Sequence, residues 1–263
     1  MPILSNHRDE PEQVQQRAAQ QDPWVMYLVV HQEGVFNLNE LLLAATQATM
    51  RCADRWSQEP AWADSFRCWS ERSFRKVTLR ARGNAWARVQ AMAGGDGEAR
   101  GAVVVRALPP RLRSECGSLL RGLQVYNPET SALQPEGPRP PPAGPAMGFV
   151  KNPAATMSVG KQVAQIAHAV LMCAWSRWAE EERYVGAFAA WREAGYPGEL
   201  WPSERWEELL REGDGVVVRD AGLTEVDPGT ATVLAVPPGY RLVTSFSGPC
   251  RPSGGRALQV SSG

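Results

Sequence analysis

Apolar and polar positions along residues 23–126 and 147–238 fall into blocks of strand and helix period, and the two stretches look like one unit repeated. Trp24–Val30 is a continuous apolar run of strand length, as a strand buried on both faces requires. Asn37–Trp56 shifts to helical period, with Asn37 or Asn39 available as the cap. Arg75–Arg80 alternates as a strand and Asn84–Met92 reads as a short helix. Gly101–Leu108 is a buried strand that Pro109 and Pro110 should stop, since proline cannot donate to a ladder. Leu119–Tyr126 continues to pack on this unit. In the second block Gly148–Val150 predicts a strand, and Ser158–Trp178 a helix capped by Ser158. Tyr196–Trp201 predicts a weak strand and Ser203–Arg211 a helix capped by Ser203. Strands Val216–Arg219 and Ala231–Val236 close the block, the last ended by Pro237 and Pro238.

The expected organisation is a flexible arm (1–22), a first domain (23–126), a Pro-rich linker (127–146), a second domain (147–238) and a flexible tail (239–263). Shifting the first domain by 121 positions aligns the main helices without a gap, placing Ala48 on Ala169, Cys52 on Cys173 and Ala53 on Ala174. Val103–Pro110 likewise resembles Ala231–Pro238. Tandem copies of one α/β unit are therefore expected, packed as an internal pseudo-dimer. Whether the chain is a monomer or a homodimer stays open.

Composition narrows the class. The 263 residues are 43% hydrophobic with a formal net charge of zero, so the whole molecule is no general polyanion binder. Charge is uneven, however, with 12 basic against 4 acidic residues in 67–121. That stretch either meets a polyanion or is a solvated arginine-rich surface. Five cysteines without C-x-x-C spacing, a polar Gln-rich opening and no membrane-length apolar run predict a reduced cytoplasmic protein that does not enter the membrane. Three histidines, none grouped with cysteine, predict no metal and no cofactor.

Two segments could carry chemistry. On the Ser158–Trp178 helix, Lys161, Gln165 and His168 follow i, i+4, i+7 spacing and share one face. Lys161 is a cation in a first turn, where the helix dipole disfavours one, and this suggests that an anion is held there. Gly160 beside it would let a substrate backbone approach. A solvated polar face of an ordinary amphipathic helix is the other reading. The second segment runs from Val218 to Thr230 and delivers Asp220 from a strand end into a loop with Gly222 and Thr224.

Together the two segments resemble the peptidyl-tRNA hydrolase 2 family. Met157, Gly160–Lys161, Ala164–Gln165 and His168–Ala169 fit its helix motif. Asp220–Ala221–Gly222, Thr224, Gly229–Thr230 and Thr232–Val233–Leu234–Ala235 fit its closing motif. The resemblance implies a mixed four-stranded sheet flanked by helices and hydrolysis of the ester between a peptide and tRNA. It implies Lys161, His168, Asp220 and Thr224 as catalytic groups, with Gly160, Gln165 and Gly222 toward the substrate. Asn152, Ala154 and Leu223 stand where the family usually carries Arg, Asp and Arg, and Ala155 where it carries Leu. Another acyl or aminoacyl ester as substrate, or a non-catalytic tRNA-binding module, is therefore the alternative. By the 121-residue shift Glu40, Ala44 and Gln47 stand for Lys161, Gln165 and His168, so the first copy is expected to be degenerate. Its basic stretch, with Lys76 among it and Arg75, Arg80 and Arg82 as contacts, is expected to hold the tRNA backbone.

Overall fold

The computed structural model describes residues 22–134 and 144–240. The expected arm up to residue 21, the tail beyond Tyr240 and linker positions 135–143 lie outside the described residues. The first unit runs β1 (Trp24–Gln32), α1 (Leu38–Trp56), α2 (Ala63–Arg72), β2 (Arg75–Arg80), α3 (Gly83–Gln90), β3 (Asp96–Arg100), β4 (Val103–Leu112), α4 (Gly117–Gly122) and β5 (Gln124–Val125). The second runs β6 (Met147–Lys151), α5 (Val159–Ala174), α6 (Glu182–Glu193), β7 (Gly198–Leu200), α7 (Trp206–Glu212), β8 (Val216–Arg219) and β9 (Ala231–Val236). The fold is mixed α/β, as expected, and the second unit holds the expected four-stranded sheet.

Strand order is β3-β4-β1-β2-β5 in the first sheet and β8-β9-β6-β7 in the second. β1 is parallel to β2 and antiparallel to β4, and β6 is parallel to β7 and antiparallel to β9. The outer pairs β3–β4 and β8–β9 are both antiparallel. Order and sense thus coincide over four strands, and two helices separate the parallel strands in each unit. Between the units, Leu133–Gln134 at the start of the expected linker pairs with Phe36–Asn37.

Local chemistry accounts for most boundaries. Asn37 caps α1, its Oδ1 accepting from the N–H groups of Asn39 and Glu40. Ser158 caps α5 by accepting from Lys161 N–H. That helix ends at Ala174 rather than Trp178, because Ser176 donates to the Cys173 carbonyl and caps a new 3-10 turn over Arg177–Ala179. Ser203 opens a 3-10 turn instead of capping α7, which starts at Trp206. Pro109 and Pro110 do not end β4. They lie opposite the bulge where the β1 register slips between Val25 and Tyr27, so no ladder donor is missed.

Helices α2 and α6 were not expected. Each carries Phe-x-x-Trp-x-Glu-x-x-aromatic, over Phe66–Phe74 and Phe188–Tyr196, 122 residues apart. The Phe ring meets the Trp edge at 6.1 Å in one and 5.9 Å in the other. Each indole donates to a backbone carbonyl at the entry to the next strand, that of Arg75 (2.7 Å), its first residue, and that of Pro197 (2.9 Å), just before it. Phe74 and Tyr196, which turn the chain into that strand, are the described non-glycine residues with positive φ, at 48° and 66°.

The units share one continuous apolar core, to which α1 gives Ala44, Ala45, Ala48 and Cys52 and α5 gives Val163, Ile166, Ala167 and Val170. α1 packs on α5, α5 on β2, and α1 on β7. Polar bonds cross the seam in both directions. Thr78 Oγ1 donates to the Gly160 carbonyl (2.9 Å), Gln47 Nε2 to the Gly195 carbonyl (2.8 Å) and Tyr196 Oη to Asp54 (2.8 Å).

Gly160 is the tightest point of the seam, since a Cβ there would overlap the Tyr126 carbonyl oxygen. Ala in place of Gly inside a helix normally stabilises by up to about 1 kcal/mol. Here Gly160→Ala should instead destabilise by about 1–3 kcal/mol, the usual cost of overpacking. Urea unfolding monitored by tryptophan fluorescence checks the sign, and a stabilised variant would contradict the close approach.

Candidate active site

The site forms where the first turn of α5 faces the loop between β8 and β9. Two devices shape that loop. Asp220 N–H donates to the Thr230 carbonyl (2.9 Å), and Gly229 N–H donates back to the Asp220 carbonyl (2.7 Å), closing its neck. Gly222 adopts φ 71°, and the Pro228 ring occupies the space its Cβ would need. Gly222 is therefore required for loop closure, rather than placed toward a substrate. Glu225 ties the loop to the helix by accepting from Ser158 N–H (2.6 Å) and Oγ–H (2.7 Å).

Inside this frame Lys161, Gln165, Asp220 and Thr224 come together. Lys161 Nζ lies 2.5 Å from Asp220 Oδ2 and donates to Thr224 Oγ1 at 3.0 Å. Gln165 Nε2 donates to the same Oδ2 at 2.5 Å. Asp220 Oδ1 accepts the Gly222 N–H at 2.8 Å. Gln165 is itself oriented by the hydroxyl of Thr232, 2.8 Å from its Oε1. The Asp220 and Lys161 side chains are only 6% and 12% exposed. A desolvated ion pair of this kind is tolerated because the carboxylate takes three donors. Asn152 supports the neighbouring turn, bonding the Ala231 carbonyl (2.7 Å) and the Ala154 N–H (2.9 Å). The large apolar side chain of Leu223 is 60% exposed on the same loop.

Six expected residues fall outside this cluster. The close approach at Gly160 is made by the Tyr126 carbonyl, which fills the space reserved above for a substrate. His168 does not join the cluster. It lies two turns along α5, and its Nδ1 is 3.0 Å from Nζ of Lys76 in the first unit. Lys76, expected on an RNA-facing surface, is buried against the faces of Phe74 (3.7 Å) and Trp69 (4.5 Å). Arg75 and Arg80 sit at opposite ends of β2. Arg80 and Arg82 share a cavity of about 570 Å³ with His31, Gln32, Glu129 and neighbouring residues, and Arg75 is not among its walls. Thr232, Glu225 and Lys76 were not singled out from the sequence for these roles. Only Thr232 had a signal, as part of the closing motif. Among the described residues no group of histidine, cysteine and acidic side chains could hold a metal.

The family model described as Peptidyl-tRNA hydrolase PTH2 matches residues 147–247. A Thermococcus sibiricus protein named peptidyl-tRNA hydrolase is 34% identical over 91 residues, which cover 32% of this chain and 75% of that protein. The chain belongs to the PTH2 family. A Methanopyrus kandleri peptidyl-tRNA hydrolase is similar at 38% over 100 residues (31% of this chain, 74% of it). One from Thermococcus onnurineus is similar at 36% over 90 residues (31% and 74%). The PTH2 match begins with β6, so every residue of the Lys161–Asp220 cluster lies inside it and the whole first unit lies outside it. No helix among the described residues is long and apolar enough to cross a membrane.

Burial moves the titration of the Lys76–His168 pair. It pushes the Lys76 ammonium well below the usual lysine range. It also pushes His168 well below the usual histidine range, helped by the positive charge of Lys76 and then Lys161. For His168 the folded pKa is below the unfolded value of about 6.5, so the unfolded chain binds more protons in that interval. Stability should therefore fall as pH drops from about 6.5 toward the folded pKa. His168→Asn should flatten the dependence of Tm on pH below about 6.5. An unchanged slope in that variant would show that His168 titrates alike in both states.

Proposed function

We propose that this chain hydrolyses the ester joining a peptide, or an N-blocked aminoacyl group, to the 3′ ribose of tRNA. The observation that carries the reading is the Lys161–Asp220–Thr224–Gln165 cluster, lying wholly inside the PTH2 match. Asp220 accepts a hydrogen bond from the attacking water and takes its proton as the new C–O bond forms. Lys161, with Thr224 beside it, stabilises the oxyanion that develops on the carbonyl oxygen. The ester C–O bond then breaks, and the ribose oxygen leaves with the proton that Asp220 took from the water. Gln165, held by Thr232, keeps the Asp220 carboxylate in place. A covalent acyl-enzyme is disfavoured. The Ser158 hydroxyl is spent on Glu225 and on the helix cap, and burial raises the Cys173 thiol far above its ordinary value.

The first unit is read as a degenerate copy of the second, joined to it as an internal pseudo-dimer. Matching strand order and the paired Phe-x-x-Trp segments support that reading, and so do the reciprocal contacts across the seam. In the place of Lys161 it carries Glu40, whose carboxylate rests against Gly101 in the short turn that replaces the Asp220 loop. Its contribution would be to the RNA. Thr78 of β2 bonds Gly160 at the start of α5, and two residues further along that strand Arg80 lines the cavity with Arg82, where Glu33 and Glu129 also stand. The apolar Leu223 at the loop surface favours one alternative, an acyl ester other than peptidyl-tRNA.

Asp220→Asn and Lys161→Ala should each lower release of peptide from a peptidyl-tRNA analogue by about 10²-fold or more, the scale of removing a positioned acid–base or oxyanion group. Retained turnover in both folded variants would reject these roles. Release from free aminoacyl esters but not from the tRNA analogue would favour the alternative substrate. Separately, Arg80→Gln and Arg82→Gln should each reduce the log–log salt dependence of tRNA binding by about 0.7–0.9 while leaving small-ester turnover unchanged. Arg75→Gln should leave the slope as it is. Equal slopes in all three variants would show the cavity to be off the RNA path.

A further inference from the structure

We propose that Lys76, reaching across from the first unit, is a positioning residue. It donates to Nδ1 of His168 and so fixes the proton of that imidazole on Nε2, where it serves the reaction as a fixed hydrogen-bond donor. The inference rests on the hydrolase reading for what His168 donates to, but not for the state of the ring. Apart from His168, what surrounds the Lys76 amine can only receive hydrogens. The Phe74 carbonyl lies 3.5 Å away, and the faces of Phe74 and Trp69 lie 3.7 and 4.5 Å away. No salt bridge pairs Lys76 with an acid among the described residues, and the three hydrogens of its ammonium suffice for both Nδ1 and the Phe74 carbonyl. Two aromatic faces also favour a cation at Nζ and oppose the desolvation that would strip its proton. Nε2 of His168 meets no hydrogen-bond partner among the described residues, and the residue as a whole is half-buried.

Two observations argue against a merely structural seam contact. The reciprocal place across the seam has no such pair. Counting from the left-handed aromatic, Lys76 follows Phe74 as Gly198 follows Tyr196. The counterpart of His168 is Gln47, which bonds a backbone carbonyl. Packing of the two units therefore does not need a lysine and a histidine. The second observation is usage. The chain has 25 arginines and three lysines, namely Lys76, Lys151 and Lys161. All three act on α5: Lys161 from its first turn, Lys151 on Gln162, and Lys76 on His168. Where charge alone is wanted this chain uses arginine. A compact ammonium is kept for the site helix, where it offers a point charge on a flexible stem rather than a planar fork.

The groups that act on the His168 ring are Lys76 from β2 and Lys161 from its own helix. No ionisable group of α1, β8 or β9 adds to them among the described residues. The test is the 15N imidazole spectrum of the full chain across about pH 6.5, where an unperturbed ring titrates. Signals are assigned with His7→Gln and His31→Gln. His168 should stay neutral with its proton on Nε2, while in Lys76→Met, which keeps the side-chain length, it should titrate toward about pH 6.5 and mix tautomers. kcat of the same variant on a peptidyl-tRNA analogue should gain a limb near that pH that the unaltered chain lacks. Lys76→Arg should not restore the ring state. A proton on Nδ1 in the unaltered chain, or a tautomer and titration unmoved by Lys76→Met, overturns the proposal. Because the spectrum needs no substrate, it fails or succeeds separately from the hydrolase reading. A correct ring state with unaltered kinetics in Lys76→Met would overturn the link to the reaction.

Discussion

Everything in this molecule depends on covering α5. Val163, Ile166, Ala167, Ala169, Val170, Leu171 and Cys173 are all buried, and they do not fit on one stripe. A helix apolar over so much of its circumference cannot rest on a single sheet with its other side in water. Its own sheet covers one side. α1 and β2 of the first unit cover the rest, and the core runs across the seam without a break. Small residues on α1 permit the close approach, and the bare backbone of Gly160 lets the Tyr126 carbonyl sit against the first turn. The helix end that carries Lys161 is thus set by two units at once.

This division leaves the units free to differ chemically while keeping one architecture. Strand order and sense, the edge-on Phe–Trp pair and the left-handed aromatic before the inner parallel strand are present in both. The chemistry differs at the loop. β8 and β9 are joined by the long loop that presents Asp220 and Thr224, whereas β3 and β4 are joined by Gly101 and Ala102 alone. With no loop to receive it, a lysine at position 40 would have no partner. The glutamate there lies against Gly101 instead.

The fold was legible where local chemistry decides it. Arg75–Arg80, Val216–Arg219 and Ala231–Val236 alternate or run apolar between clear stops, and all three are strands with those bounds. α2 and α6 were missed because their signal is mutual. Phe-x-x-Trp-x-Glu says little once, and becomes informative only when met again 122 residues later. β4 runs through two prolines because a bulge in its neighbour absorbs them, which depends on pairing and not on the segment itself. At the site, motif spacing brought Lys161, Gln165, Asp220 and Thr224 together. It did not show that His168 meets Lys76, since a shared helix face says nothing about which unit covers the far end of that face.

The arrangement around Asp220 bears on how the reaction proceeds. A desolvated carboxylate that loses its only cation becomes very costly, so a lysine that must both neutralise an aspartate and stabilise an oxyanion has conflicting tasks. Here the conflict is relieved by redundancy. Gln165 bonds Oδ2 and the Gly222 N–H bonds Oδ1, so the carboxylate keeps two donors and its orientation when Lys161 turns to the substrate. Thr232 fixes the Gln165 amide from behind, and the loop neck fixes the backbone on either side. Lys161 is then the exchangeable member of the cluster, already bridging to Thr224 at the loop. On the proposed reading, the departure of Lys161 also frees a lone pair of Asp220 Oδ2 to accept from water. On this reading, arrival of the ester carbonyl at Lys161 is itself the event that readies Asp220 to take the proton from water.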